Sequence, residues 1–465
     1  MKQFYLKTLV LLLLNMVGGS AYAYNCVVDG IYYNLNSLTE EATVTYKYDE
    51  KLEGTCSDAY IGNVVIPSRV TYKRTVYSVT TIGHDAFRSC TDLTSVTIPN
   101  SVIDIGHDAF RGCTGLTSVT IGNSVTSIGK YAFQDCSSLT SVTIPDNVIY
   151  IRRAAFSGCS SLTSITIPNS VKEIEEDAFN GCSSLTSITI PNSVTYIYDH
   201  PFAGCSGLTS IIVESGNKEY DSRDNCNAII ETATNALISG CKNTIIPNSV
   251  TYIGIQAFDG CTDLTSVTIP NSVTDIEGSA FGGCSGLTSI IVESGNKIYD
   301  SRNNCNAIIE TATNTLNTGC KNTIIPNSIT SIGRCAFYGK GLISVTIPNS
   351  VTYIGGLAFC YNTDLTSVTI PNSVTYINNN PFLGCSGLTS IIVESGNKEY
   401  DSRDNCNAII ETATNTLMAG CKNTIIPNSV TTIGESSFED CSSLTSVIIP
   451  KNVRNFDEYA FYGCI

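Results

Sequence analysis

The 465-residue chain has 41 acidic and 26 basic residues, a formal net charge of −15, with 42 % hydrophobic and 14 % charged residues and no tryptophan. An acid excess of this kind argues against a nucleic-acid binder or a ligand of anionic membranes, and the apolar content argues against a disordered chain. The length is large for one conventional core but ordinary for a one-dimensional stack of repeats.

Residues 1–23 read as a secretory signal. Lys2 and Lys7 form the positive end, residues 9–17 an apolar run, and Ala21-Tyr22-Ala23 a cleavage site. The run falls short of the ~20 residues a membrane span needs, and no later segment qualifies. Cleavage would lower the basic count from 26 to 24 and take the net charge from −15 to −17. Export to an oxidising compartment makes disulfides chemically available.

Residues 24–75 depart from everything downstream and read as an N-terminal cap. Two aromatic and β-branched runs within residues 24–48 flank a polar turn, which predicts a hairpin. Cys26 and Cys56 are candidates for a bridge inside this cap. Val64-Val65-Ile66-Pro67 is the first recognisable repeat strand.

From residue 76 a 23-residue unit recurs, and its phenylalanines stand at 87, 110, 133, 156, 179 and 202. Such a period is the mark of a solenoid whose units bury their apolar faces only by stacking. Within one unit, Val96 and Ile98 alternate with Ser95 and Thr97, the pattern of a half-buried strand. Pro99-Asn100-Ser101 ends that strand, 102–105 gives a second short strand, and Ala-Phe-x-x-Cys allows one helical turn. The phenylalanine spacing jumps from 23 to 56 between Phe202 and Phe258, between Phe281 and Phe337, and between Phe382 and Phe438. Three near-identical insertions cause this, read as enlarged coils near 208–257, 287–336 and 388–437. Each contains a hairpin and an extra strand ending in Ile-Ile-Pro. The whole predicts about 16 parallel coils, closing in mid-unit at Ile465 without a polar cap. An uncapped last coil suggests association.

The units, which follow LxxVxIPxxVxxIxxxAFxxC, resemble the BspA-type leucine-rich repeat over nearly all of residues 61–465. The enlarged coils, with their NCNAIIETATN…GCKNTIIP segment, are similar to that family too. The resemblance implies a β-rich leucine-rich-repeat solenoid, a right-handed superhelix of short parallel strands with helical turns. It also implies a secreted or cell-surface protein of the kind found in mucosal bacteria and protozoa. Several of these are adhesins for extracellular-matrix proteins, host cells or other bacteria. No catalytic residue, metal or cofactor comes with the resemblance.

Four groups of residues were candidates for chemistry. Eleven cysteines stand three residues after a phenylalanine, from Cys90 to Cys464, and read as small buried apolar groups, not zinc ligands. Cys226 and Cys241, Cys305 and Cys320, and Cys406 and Cys421 lie 15 residues apart across the insert hairpins, at a spacing that allows a disulfide in each. His84-Asp85 and His107-Asp108 occupy equivalent positions in neighbouring units, an arrangement to be weighed as a surface pair against a metal site. His200 stands by itself. The acidic insert segment 214–227 lacks a calcium-loop pattern, and turn chemistry accounts for its Asn, Asp and Ser.

With these set aside, an enzyme is disfavoured and the exposed strand face remains. Ser95, Thr97, Ser118, Thr120, Ser141, Thr143, Ser164, Thr166, Ser187 and Thr189 make an uncharged hydroxyl surface, interrupted by Ile212, Ile291, Ile392 and Ile448. Extended solenoid faces bind macromolecules. The expectation is therefore an adhesin engaging host matrix proteins or other cells, with a self-associating structural protein as the alternative.

Overall fold

The computed structural model describes residues 24–49, 54–55 and 60–464. The expected signal segment and Cys56 lie outside the described residues. The chain forms two compact units, residues 1–171 and 172–465. Each is built of β-solenoid coils, about 16 in all, with almost no helix.

In the first unit, Cys26–Val28, Ile31–Asn36 and Glu41–Thr45 form an antiparallel meander rather than a simple hairpin. Glu41–Thr45 then pairs in parallel with Thr75–Ile82, which converts the meander into the first rung of a solenoid sheet. Tyr60 completes the cap. Its hydroxyl donates to Thr45 O at 2.7 Å and accepts the Tyr32 N–H at 3.1 Å, and its ring lies 4.3 Å from that of Phe87. The first phenylalanine is thereby covered by an aromatic ring whose polar end is satisfied.

Two parallel sheets follow. One contains Gly62–Val65, Leu93–Thr97, Ser118–Thr120, Ser141–Thr143 and Ser164–Thr166, with residues 23 apart in register from Ser95 onward. The other continues from Thr75–Ile82 through Asp104–Ile105, Ser127–Ile128 and Tyr150–Ile151. Val96, Val119, Val142 and Ile165 point into the core, as their period-2 pattern requires.

The third side of each coil is neither strand nor helix. Cys90 N–H closes one turn on Phe87 O at 3.1 Å, but Asp85 and Ser89 have φ of +55° and +57°. Left-handed residues stop a right-handed helix from propagating. They also turn alternate N–H groups toward the next coil. Asp85, Phe87 and Ser89 donate to His107, Ala109 and Arg111 carbonyls at 3.1, 2.7 and 2.7 Å. The phenylalanine rings stack alongside. Phe87, Phe110, Phe133 and Phe156 have centroids 4.8, 5.0 and 5.4 Å apart, with planes within 8° of parallel, and all are fully buried. Burying each ring contributes about 1.5–3 kcal/mol.

The second unit repeats this plan with three interruptions. In the first, Tyr220–Asp221, Ala228–Glu231 and Ala236–Gly240 form an antiparallel meander, and the last strand then joins Tyr252–Ile253 in parallel. The predicted hairpin is therefore present, with its turn at 232–235. The phenylalanine stack breaks at each insertion. Phe202 stacks on Phe179 and Phe258 on Phe281, and between the two pairs the Phe258 ring lies against Gly240. A Cβ on Gly240 would sit 2.3 Å from Phe258 Cε1, so only glycine fits there. Gly319 over Phe337 and Gly420 over Phe438 repeat the arrangement.

Candidate binding face

In the first unit, Ser95, Ser118, Ser141 and Ser164 lie side by side in register, as do Thr97 with Thr120 and Thr143 with Thr166. In the second unit, Ser187 pairs with Ser210 and Thr189 with Ile212. Ser118, Thr120, Ser141, Thr143, Ser164, Thr166, Ser187 and Thr189 are all exposed, and Ser95 and Thr97 half-buried. A second column, Thr94, Thr117, Thr140 and Thr163, escaped the sequence reading. Its hydroxyls are spent on the scaffold, with Thr117 Oγ1 donating to Thr94 O at 3.0 Å and Thr140 Oγ1 to Thr117 O at 3.3 Å. Ser95 Oγ bonds Asn63 Oδ1 at 2.6 Å. Among the described residues the hydroxyls of Ser118, Thr120, Ser141, Thr143, Ser164 and Thr166 make no bond within the chain. They remain open to a ligand.

The cysteine column does more than fill space. Cys113, Cys136 and Cys159 direct Sγ to the carbonyl of the phenylalanine 26 residues earlier, at 2.9, 3.2 and 3.2 Å. Cys205, Cys284 and Cys385 do the same. Burial pushes the Cys136 thiol well up and the Cys159 thiol to about 12, and the hydrogen bond with Cys182, with burial adding to it, pushes the Cys205 thiol well up, so they are protonated donors and not reactive thiolates. Two departures from cysteine also place a donor at this carbonyl. Lys340 sends its ammonium to Phe281 O, and Asn362 Nδ2 donates to Phe337 O at 2.8 Å. Both are fully buried. A small apolar residue would satisfy the volume and leave the carbonyl with only the backbone N–H that it already accepts, as Phe87 O accepts that of Cys90 at 3.1 Å.

The insert cysteines are free thiols in this structure. Ala228 faces Gly240 across the hairpin, and continuing that register sets Cys241 opposite Asn227 rather than Cys226. Cys241 Sγ accordingly points at Asn227 O, 3.5 Å away, while Cys226 Sγ faces Ala228 O at 3.9 Å. Cys320 and Cys421 likewise point at Asn306 O and Asn407 O, away from Cys305 and Cys406. Cys26 is a buried free thiol.

His84 and His107 stack at 4.9 Å, but their Nδ1 atoms accept the His107 and Lys130 N–H groups at 2.8 and 2.9 Å. Each histidine caps the coil above it. The carboxylates that could have joined them are held by Arg88 and Arg111, at 2.9 and 3.1 Å from Asp85 and Asp108. Burial, with His84 and Lys130 adding to it, lowers the His107 pKa and favours its neutral form. His200, by contrast, is not isolated. Its Nδ1 lies 2.8 Å from Asp177 Oδ1, and Glu176 completes a group of three potential metal ligands with mutual distances within 4.8 Å. The 23-residue step from Asp177 to His200 was the available signal. The hydrogen bond to Asp177 raises the His200 pKa, which suits an ion pair.

The acidic insert segment is internally committed. Arg223 bridges Asp221 through Nε at 2.8 Å and reaches Asn235 Oδ1 at 2.8 Å, fixing the hairpin turn, and Arg302 and Arg403 repeat this. Glu214 accepts the Asn192 N–H at 3.0 Å.

Stacked coils, a buried leucine, valine and isoleucine lining and an exposed strand face define a leucine-rich-repeat solenoid. Proteins of this class generally bind other proteins and are typically not enzymes. The model of the BspA type leucine rich repeat region matches in six copies between residues 80 and 465, and the chain belongs to that family. Similar solved structures include a leucine rich cell surface protein from Faecalibacterium prausnitzii A2-165, 27 % identical over 95 % of this chain and 96 % of that one, TM-score 0.48. Another is the pneumococcal vaccine antigen PcpA, 20 % identical over 93 % of this chain and 100 % of that one, TM-score 0.51. A leucine-rich repeat protein from Bacteroides ovatus is 25 % identical over 95 % and 93 %, TM-score 0.36. No curated protein matches the chain. Among the described residues, no helix is long and apolar enough to cross a membrane.

Proposed function

We propose that this chain is an exported, surface-associated adhesin that engages host matrix proteins or other cells through its repetitive strand face. The observation that carries the reading is the in-register run of exposed Ser and Thr whose hydroxyls are not used by the fold. A rigid row of donors and acceptors repeated at the strand spacing of ~4.8 Å suits an extended macromolecular ligand and offers no enclosed site for a small one. The signal-like residues 1–23 support export.

The test is binding of the full chain to immobilised fibronectin and fibrinogen. Saturable binding is expected, lost on the triple change Thr120→Lys, Thr143→Lys and Thr166→Lys, with little dependence on salt because the face is uncharged. Unchanged binding by the triple variant would remove this face from the account. Concentration-dependent oligomers in sedimentation, without any matrix binding, would favour the self-associating alternative.

A further inference from the structure

The first insertion opens a strand edge. Between the first coils the ladder runs on past the strand ends, with Ile66 N–H donating to Thr97 O at 3.0 Å and Ile98 N–H to Thr120 O at 2.8 Å. After Ser210–Val213 the next coil supplies residues 244–247, and these are drawn away from the sheet. Ile245 N–H donates to Cys226 O at 3.1 Å, and Thr244 Oγ1 donates to Asn227 O at 2.6 Å. Both bonds tie the segment to the base of the hairpin. Among the described residues no ladder joins it to Ser266–Ile269, which pairs only with Ser289–Val292. Thr268 stands where Thr120 receives the bond from the coil before it, so its carbonyl faces a gap. That gap is a groove of about 560 Å³, bounded by Ile245, Pro247, Ser266, Thr268, Asp224 and Glu293. Its size is that of an ordinary ligand cleft.

We propose that this groove receives an extended, basic, β-branched peptide segment of a partner protein, added as a strand to the free edge of Ser266–Ile269. The inference rests on the protein-binding reading above and names a partner chemistry and a site for it. A row of unpaired backbone groups is complementary to one thing, another extended backbone. Ile245 is 76 % exposed at a Thr120-equivalent position and presents an aliphatic surface to alternate side chains of the incoming strand. Asp224, in no ion pair among the described residues, and Glu293, whose Oε2 accepts the Asn271 N–H at 3.1 Å, place carboxylates at the rim, and the chain as a whole carries −15. Flanking lysines on the partner complement both. The tethering bonds recur in the other insertions, from Ile324 to Cys305 O at 3.1 Å and from Ile425 to Cys406 O at 3.0 Å.

The probe is a fluorescein-labelled peptide, Lys-Thr-Val-Thr-Ile-Thr-Lys, titrated with the full chain and followed by anisotropy. Saturable binding is expected, at least tenfold weaker for the same peptide N-methylated at alternate amides, which keeps the side chains and removes the ladder donors. The double variant Asp224→Asn, Glu293→Gln should bind at least threefold more weakly. It keeps the local fold: Asn303 already occupies the position of Asp224 in the second insertion with φ +60° against +59°, and Gln at 293 retains an oxygen for the Asn271 N–H that Glu293 Oε2 accepts at 3.1 Å. No saturation, or equal affinity for the methylated peptide, overturns the proposal. Matrix binding that persists in that event, and is lost in the Thr120, Thr143 and Thr166 variant, would leave the wider adhesin reading standing.

Discussion

Replacing Lys340 by methionine separates the two energetic roles of the only lysine in the cysteine column. Its side chain is fully buried, its ammonium donates to Phe281 O, and Cys284, Cys320 and Asp259 act on it electrostatically. Desolvation lowers its pKa from the ordinary 10.5. The unfolded chain therefore binds more protons than the folded one between the folded value and 10.5, and stability rises with pH across that window. One proton corresponds to a slope of at most about 1.4 kcal/mol per pH unit. The buried thiols act in the opposite sense. Their pKa values are raised above 9.0, so their contribution is present below pH 9 and lost as the pH climbs through the folded values. Subtracting the variant's curve from that of the parent cancels the thiols. Methionine keeps the volume and removes the charge, at the loss of one hydrogen bond worth about 0.5–1.5 kcal/mol. Phe281 O keeps the Cys284 N–H at 3.4 Å. The expected outcome, from urea unfolding followed by circular dichroism at pH 7, 8, 9 and 10, is a variant at least as stable as the parent at pH 7. The parent should then gain on it as the pH rises. A difference that stays constant over the whole range would refute the burial of a titrating ammonium.

Phe133→Ala removes a ring sandwiched between Phe110 and Phe156 at 5.0 and 5.4 Å, and should cost about 3–5 kcal/mol in urea unfolding. Ile103→Ala, at a half-exposed position, should stay within about 0.5 kcal/mol. His200 should titrate above 6.5 by proton NMR, and Asp177→Asn should bring it down. Its contribution to stability is full below pH 6.5 and disappears as the pH rises through the folded value. Alkylation in denaturant without reductant, read by intact mass, should label all six insert cysteines. Three paired mass deficits would show instead that the hairpins shift by one residue to bridge them.

The solenoid was legible in residues 61–465 because the physics that stacks the coils is local and repeated. Val96, Ile98, Leu93 and Phe110 recur at a fixed spacing, and identical side chains that must all be buried can only stack. The strand face followed from the same alternation, which places Ser118 and Thr120 outside whenever Val119 is inside. The turn residues and the insert hairpin were equally local. What the tertiary structure decided was where each coil's carbonyls and N–H groups end. Cysteine in Ala-Phe-x-x-Cys looks like a small apolar residue until the Phe carbonyl of the preceding coil is seen beside its sulfur. Lys340 and Asn362 look like interruptions until the same carbonyl explains them. His200 gains its partner only when the coil carrying Asp177 is laid beneath it. The Ile-Ile-Pro segments read as strands, yet Cys226 O captures the Ile245 N–H and leaves Thr268 without a neighbour. Side-chain periodicity specifies burial, because burial depends on composition along one coil. Hydrogen-bond partners are chosen between coils, 59 residues apart for Lys340 and Phe281 and 79 for Tyr361 and Asp440, and only the folded register brings them together.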